Sequence, residues 1–241
     1  MTDDADRAAK ALIAAFRLLA ASLPGMHEQQ VAPGVISLMS GLPLATLNGV
    51  FTDAVRPDVT ELDRAAARVA ARYGLTDRTT SPLMVYHPAS DRPAPSALAS
   101  ARASAAARVV VADRDDQAEY AAALAAGFEA PPEIMAPFSS PGAFTMPGGV
   151  PYLAREDGQV VAVGFGVFGD RIAGVFNIAT VPAYRGRGYG RAVTSRIVAD
   201  GVARGADLAY LQSSEDGYPL YQSMGFRTVE TWTYLCSTPG A

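Results

Sequence analysis

The chain has 241 residues, 49% hydrophobic and 18% charged, with a formal net charge of -4 and a pI near 5.2. That length suits one large domain or two small ones, and the balance excludes a disordered or fibrous protein. A general nucleic-acid binder needs clustered excess Lys and Arg; Lys10 is the only lysine and no basic stripe is present, so no nucleic-acid partner is expected.

The apolar stretch 8–23 differs from a signal peptide: Asp3, Asp4 and Asp6 precede it and Arg17 interrupts it. It reads as an amphipathic helix over 8–21, ended by Pro24 and Gly25. No other segment is long and apolar enough to span a bilayer, so a cytoplasmic protein is expected, with no membrane partner. Cys236 is the single cysteine and cannot make an internal disulfide. His27 and His87 have no companion cysteines, which leaves no zinc pattern, and no metal is expected.

Residues 35–39 read as a short strand, and Gly41, Pro43, Asn48 and Gly49 punctuate a loop. A helix is expected over 60–73, with Thr60 as N-cap and Gly74 as its stop. Residues 83–86 form a strand candidate, and 89–95 a proline-rich loop. Beyond Arg108 the signals sharpen. Residues 109–111 read as a buried strand, Asp113 as a cap for a helix over 115–126, and Gly127 as its end. Residues 131–149 carry five prolines and read as an irregular connection. Three strands follow, over 152–154, then the alternating Val161, Val163, Phe165 and Val167, then 172–180. Asp157-Gly158 and Gly169-Asp170 are the turns between them, which makes an antiparallel meander. A helix over 190–203, a strand over 208–212, a short helix over 218–224 and a strand over 226–235 complete the chain. The expected fold is α/β (α+β): a mixed, mostly antiparallel central sheet flanked by helices.

Between the meander and the helix stands Arg185-Gly186-Arg187-Gly188-Tyr189-Gly190. The first N–H groups of a helix lack internal partners and carry partial positive charge, so they attract anions. Glycines allow close backbone approach, and Arg185, Arg187 and Arg191 add cationic donors suited to phosphate. The alternative is a plain turn with solvated arginines. A Walker loop would need Gly-Lys-Ser/Thr, and a dinucleotide fingerprint would need G-x-G-x-x-G after a first parallel strand; neither is present.

Arg185-x-x-Gly188-x-Gly190, with Val181 four residues ahead of it, resembles the Gln/Arg-x-x-Gly-x-Gly/Ala motif of the Gcn5-related N-acetyltransferases (GNAT). Leu220-Tyr221-x-x-x-Gly225-Phe226 resembles a second stretch of that family, and Ser214 stands where many members have an asparagine that touches the cofactor. The resemblance covers about 108–236, and the two motifs in order are far more specific than either alone. It implies the acyl-CoA N-acyltransferase fold and acetyl-CoA as cosubstrate. It also implies that Ile178, Ala179, Thr180 and Val181 lend backbone groups to the pantetheine arm. Residues Arg185, Gly186, Arg187, Gly188, Tyr189, Gly190 and Arg191 then take the pyrophosphate.

Acetyl transfer needs an aligned amine, a stabilised oxyanion and a proton for the leaving thiolate. By position Tyr221 is the general acid, or else a ring packed under the cofactor. Where some members carry a glutamate on the preceding strand, this chain has Gly174. Glu215, Asp216, Glu230 and Glu133 are the remaining candidate bases, against a reading of each as a solvated surface charge that has the greater weight, and a water chain or a neutral acceptor would serve as well. The expected acceptor is the amine of a small molecule or a peptide.

Residues 1–107 lack a second phosphate loop. Around Leu47-Asn48-Gly49-Val50-Phe51 they resemble the N-terminal regions of two-part family members, where the first half is a degenerate copy of the fold. The alternative is an extension that buries apolar surface on a catalytic domain over 108–241. Two rival functions stay open: an acyl-CoA sensor without chemistry, and a transferase of longer acyl groups.

Overall fold

The computed structural model describes residues 2–22, 26–39, 48–52, 58–91 and 108–236. The chain divides into two compact units, Met1–Leu83 with Val229–Ala241, and Met84–Thr228. The boundary expected at 107/108 adjoins residues 92–107, which lie outside the described residues, as do Pro24, Gly25, Gly41 and Pro43.

In the first unit, helix α1 (Thr2–Ser22) begins with Asp3 and Asp4 in its first turn, where acids favour the helix dipole. Its apolar residues Ala8, Leu12, Ile13, Ala15 and Phe16 recur at helical spacing and are buried. Strands β1 (His27–Ala32), β2 (Val35–Met39) and β3 (Asn48–Thr52) form an antiparallel sheet in that order. Helix α2 (Val59–Tyr73) is capped by Asp58, whose carboxylate accepts from the Glu61 N–H at 3.1 Å. Thr60, the expected cap, already lies inside the first turn, because the backbone is extended only at Asp58 (φ -72°, ψ 98°). Gly74 ends the helix at φ +64°, as a left-handed C-cap. Strand β4 (Asp77–Tyr86) starts six residues earlier than expected; its first four residues are exposed and carry no apolar pattern.

In the second unit, β5 (Arg108–Val111) leads to α3 (Gln117–Phe128). Asp113 caps the turn ahead of α3 rather than the helix, accepting from the Asp115 and Asp116 N–H groups at 2.8 and 3.2 Å. Gly127 does not end α3. A Cβ there would stand 2.7 Å from the Ala179 Cβ, so this glycine lets the helix approach the sheet, and the left-handed cap falls on Glu129. The proline-rich connection coils into helical turns, α4 (Pro132–Met135), a 3-10 turn (Ala136–Ser139) and α5 (Pro141–Phe144). Each has proline in its first turn, where the missing N–H costs nothing.

The meander follows as β6 (Gly149–Glu156), β7 (Gln159–Gly169) and β8 (Ile172–Thr180), paired antiparallel. Asp157 and Gly158 turn the first hairpin with φ +48° and +83°. The second turns on Asp170 and Arg171, at φ +48° and +60°, one residue beyond the expected pair. Two left-handed residues in succession match the strand twist. Helix α6 (Tyr189–Ala203), β9 (Leu208–Gln212), α7 (Tyr218–Ser223) and β10 (Arg227–Cys236) complete the chain. Within the second unit the sheet runs β9-β8-β7-β6-β5. Helix α6 lies close against β7 because Gly164 and Gly166 carry no side chain; a Cβ on Gly164 would be 2.6 Å from Val193.

Candidate functional site

The site begins with a fork. Strands β8 and β9 run parallel, yet they pair only over Ile172–Gly174 and Leu208–Tyr210. Beyond that point β8 continues to Thr180, bonded to β7 on one side and released from β9 on the other. The β7–β8 register also slips between Phe165↔Phe176 and Val163↔Ala179. This bulge contains Asn177 at φ +52°, a conformation that asparagine tolerates better than most residues. An opening flanked by unpaired backbone therefore lies beside Ile178, Ala179 and Thr180. Val181 closes the strand by donating its N–H to the Val161 carbonyl at 2.9 Å.

The 3-10 turn Pro182–Tyr184 leads from β8 to the glycine-rich loop. Gly186 and Gly188 have φ of +77° and +87°, which a side chain would strain, so the glycines are a backbone requirement. Gly188 is the N-cap of α6, and no side chain caps the helix. The orphan N–H groups of its first turn are left for an external acceptor. Gly190 has ordinary room around it: the nearest atom to an added Cβ is on Leu220 at 3.5 Å.

The three arginines are held by the protein. Arg185 donates to the Gly127 carbonyl at 2.8 Å and to Glu129 at 2.9 Å, so it ties the loop to the C-terminus of α3. Arg187 pairs with Glu156 at 3.3 Å and lies 5.1 Å over the Tyr184 ring. Arg191 donates to the Ser223 hydroxyl at 2.6 Å, and burial lowers its pKa. Tyr189 is buried at the start of α6, its pKa raised by burial and by Glu156.

Tyr221 sits on α7, buried, its ring 6.0 Å edge-on from Phe226. Burial pushes its pKa up to about 12, while Thr194 of α6, fully buried beside it, pulls the other way. Ser214 is exposed and accepts from the Gly217 N–H at 3.1 Å, shaping the turn into α7. Of the candidate bases, Glu133, Glu215 and Asp216 are exposed, and Glu230 accepts from the Trp232 indole N–H at 2.9 Å. His87 is structural: its N–H donates to Asp91 at 2.7 Å, and its ring bonds the Asp207 carbonyl at 3.2 Å. Asn177 and Thr194 lie outside the residues singled out by sequence, and Gly127 stands there only as a helix stop. Asn177 alone had a signal, the tolerance of asparagine for positive φ.

A family profile described as an acetyltransferase (GNAT) domain matches residues 147–228, spanning the meander, the fork, the glycine loop and Tyr221. The C-terminal half of the chain is a GNAT domain. Among solved structures, a GCN5-related N-acetyltransferase from Kribbella flavida is 17% identical, with 97% of this chain and 96% of that one covered and a TM-score of 0.61. A GCN5-related glucosamine N-acetyltransferase region of a fungal multi-domain GH3 β-N-acetylglucosaminidase is 15% identical, covering 74% of this chain and 23% of that one, with a TM-score of 0.56. At these identities the likeness is one of fold, and the mostly antiparallel sheet flanked by helices is the GNAT acyl-CoA N-acyltransferase fold. No curated protein matches the chain. The GNAT domain supports acetyl transfer as the general activity. Among the described residues no helix is long and apolar enough to cross a membrane, and no group of three His, Cys, Asp or Glu is placed to hold a metal.

Proposed function

We propose that the GNAT domain transfers an acetyl group from acetyl-CoA to the amine of a small-molecule or peptide acceptor. The observation that carries this reading is the strand fork beside an uncapped helix N-terminus opened by Gly186 and Gly188. When bound, acetyl-CoA supplies a thioester carbonyl open to attack and a thiol as leaving group. The N–H groups at the start of α6 hold the pyrophosphate, and Arg185, Arg187 and Arg191 brace the loop around it. The free edge of β8 at Ile178, Ala179, Thr180 and Val181 orients the pantetheine arm, with Ser214 across the opening. Amides released by the bulge at Asn177 are donors for an oxyanion.

Tyr221 holds its proton at Oη throughout the neutral range and is the proposed proton donor to the departing sulfur. A thiol of the cysteine type has a pKa of about 8.5. The pKa of the phenol, at about 12, makes that transfer uphill, so Tyr221 acts as a hydrogen-bond donor that releases its proton late. Gly174 supplies no carboxylate; the amine attacks in its neutral form, and the proton its nitrogen sheds as the thioester C–S bond breaks passes through solvent and restores the Tyr221 phenol. Residues 1–107 are proposed to shape the substrate site rather than perform chemistry, with one acetyl-CoA per chain, residues 108–241 being the catalytic region.

The second reading, a sensor of acyl-CoA without turnover, is favoured by Gly174 and by the reluctance of the Tyr221 phenol. Calorimetry with acetyl-CoA, followed by detection of free thiol over an amine panel, separates the two. Binding with thiol release supports transfer; binding with none supports the sensor; no binding, or unchanged affinity in Gly188→Glu, sinks both.

A further inference from the structure

The first unit contains a cavity of about 470 Å³, built entirely from its own elements. Two helix faces form its sides. Asp6, Ala9, Lys10 and Ile13 recur on one face of α1, and Leu62, Ala66, Val69 and Ala70 on one face of α2. Three of these eight are alanines, and the space larger side chains would occupy stays open. The floor is aromatic: Phe51 of β3 stands 5.8 Å from Trp232 of β10, and Tyr234 follows on the same strand face. Glu230 fixes the indole by accepting its N–H at 2.9 Å. The volume falls within the roughly 300–1,000 Å³ of small-molecule sites, which pair an apolar lining with a few polar groups.

The rim carries both signs. Asp6 and Lys10 come from α1, Asp63 from α2 and Arg78 from the start of β4. Among the described residues none of these four side chains makes a hydrogen bond or ion pair, so each can meet a ligand without breaking a bond inside the protein. A ligand with a single charge would leave one sign of the rim unanswered. A neutral apolar ligand would face desolvation of the charges at the mouth with no return. An apolar body bearing one ammonium and one carboxylate answers the floor and both signs.

We infer that this cavity binds a small apolar zwitterion of the size of a dipeptide. The apolar side chains lie over Phe51, Trp232 and the alanine faces. The ammonium meets Asp6 and Asp63, and the carboxylate meets Lys10 and Arg78. The inference concerns binding in the first unit alone and stands whether or not the GNAT domain catalyses transfer.

The experiment titrates the full chain with leucyl-phenylalanine by calorimetry. Two analogues run in parallel: the N-acetyl form, without the cation, and the C-terminal amide, without the anion. Saturable binding of the dipeptide at one site per chain, at least about tenfold tighter than either analogue, is expected. Ala70→Leu should abolish it by filling the cavity. Lys10→Glu, at an exposed helix position, should cut dipeptide affinity about tenfold yet leave amide affinity unchanged, and it serves should Ala70→Leu fail to fold. Absence of dipeptide binding, an affinity for either analogue equal to that for the dipeptide, or indifference to Lys10→Glu overturns the inference.

Discussion

Gly174 and Tyr210 are direct partners on the parallel strands β8 and β9, and a Cβ on Gly174 would stand 2.7 Å from the Tyr210 hydroxyl oxygen and 2.6 Å from the Phe176 ring. Tyr210 is buried and packs edge-on against Phe176 at 5.8 Å, so it has nowhere to retreat. The space that a strand acid would need is therefore filled by a phenol. Gly174→Ala is expected to destabilise the protein by about 1–3 kcal/mol, the scale of overpacking. In a Tyr210→Ala background the same change should cost less, because only the Phe176 ring then crowds the added Cβ. Urea denaturation of the four chains of this cycle reads the coupling; strict additivity would mean that the two residues do not compete for space.

Arg185 and Gly188 are expected to separate in their effects. The Arg185 guanidinium holds Gly127 and Glu129, so Arg185→Ala should lower Tm by about 2–4 °C, for a loss of about 1 kcal/mol. Its effect on acetyl-CoA affinity should stay within about tenfold, because the loop's backbone survives. Gly188→Glu should abolish binding, since it strains a φ of +87° and sets a negative charge at the start of α6. Should Arg185→Ala abolish binding with Tm unchanged, the arginine contacts phosphate directly.

Tyr221→Phe keeps the ring against Phe226 and removes only the hydroxyl. Acetyl-CoA affinity should stay within about threefold and kcat should fall by about 10²-fold, the low end for acid catalysis. Because its pKa is near 12, deprotonation of Tyr221 should add no falling limb to the rate profile below about pH 10. A wild-type limb near pH 8–9 that disappears in Tyr221→Phe would contradict this.

Alkaline stability carries a sign of its own. Tyr120, Tyr152, Tyr210 and Tyr221 all have pKa values raised chiefly by burial. A folded pKa above the unfolded value of about 10 means that the unfolded chain gives up protons first. The stabilisation is full below about pH 10 and is lost as pH climbs through the folded values. A phenolate titration by ultraviolet absorbance should show an early gradual phase from exposed tyrosines, then a cooperative step coincident with loss of circular dichroism. Smooth ionisation of every tyrosine near pH 10 would refute the burial.

The meander and loop were legible because local chemistry and tertiary position agreed there. Val161, Val163, Phe165 and Val167 alternate, Asp157-Gly158 is a turn by its own conformational preference, and the glycines at 186 and 188 are forced by positive φ. Strand β1 was missed because His27–Ala32 has four exposed positions in succession and no apolar period to read. Asn48 and Gly49 were read as loop residues, yet they pair with Met39 and Leu38; strand pairing overrode their turn preference. The same blindness affected the site. Arg185, Arg187 and Arg191 are marked by residue type and by their place in the loop, whereas their partners Glu129, Glu156 and Ser223 come from other elements. Gly127 looked like a helix stop because the β8 backbone it accommodates is more than fifty residues away.

The assignment of β10 by packing has a consequence for how the molecule is made. The first unit consists of residues 1–83 and 229–241, and its Phe51 ring waits for Trp232. On a ribosome the chain emerges from its N-terminus, so the GNAT domain is fully synthesised while the older unit still lacks a strand. The half born first closes only after the domain inserted in it has been made, its aromatic floor incomplete until Trp232 has been translated. Closing so long an interval carries a large loop entropy, and this non-local contact is the natural slow step of maturation.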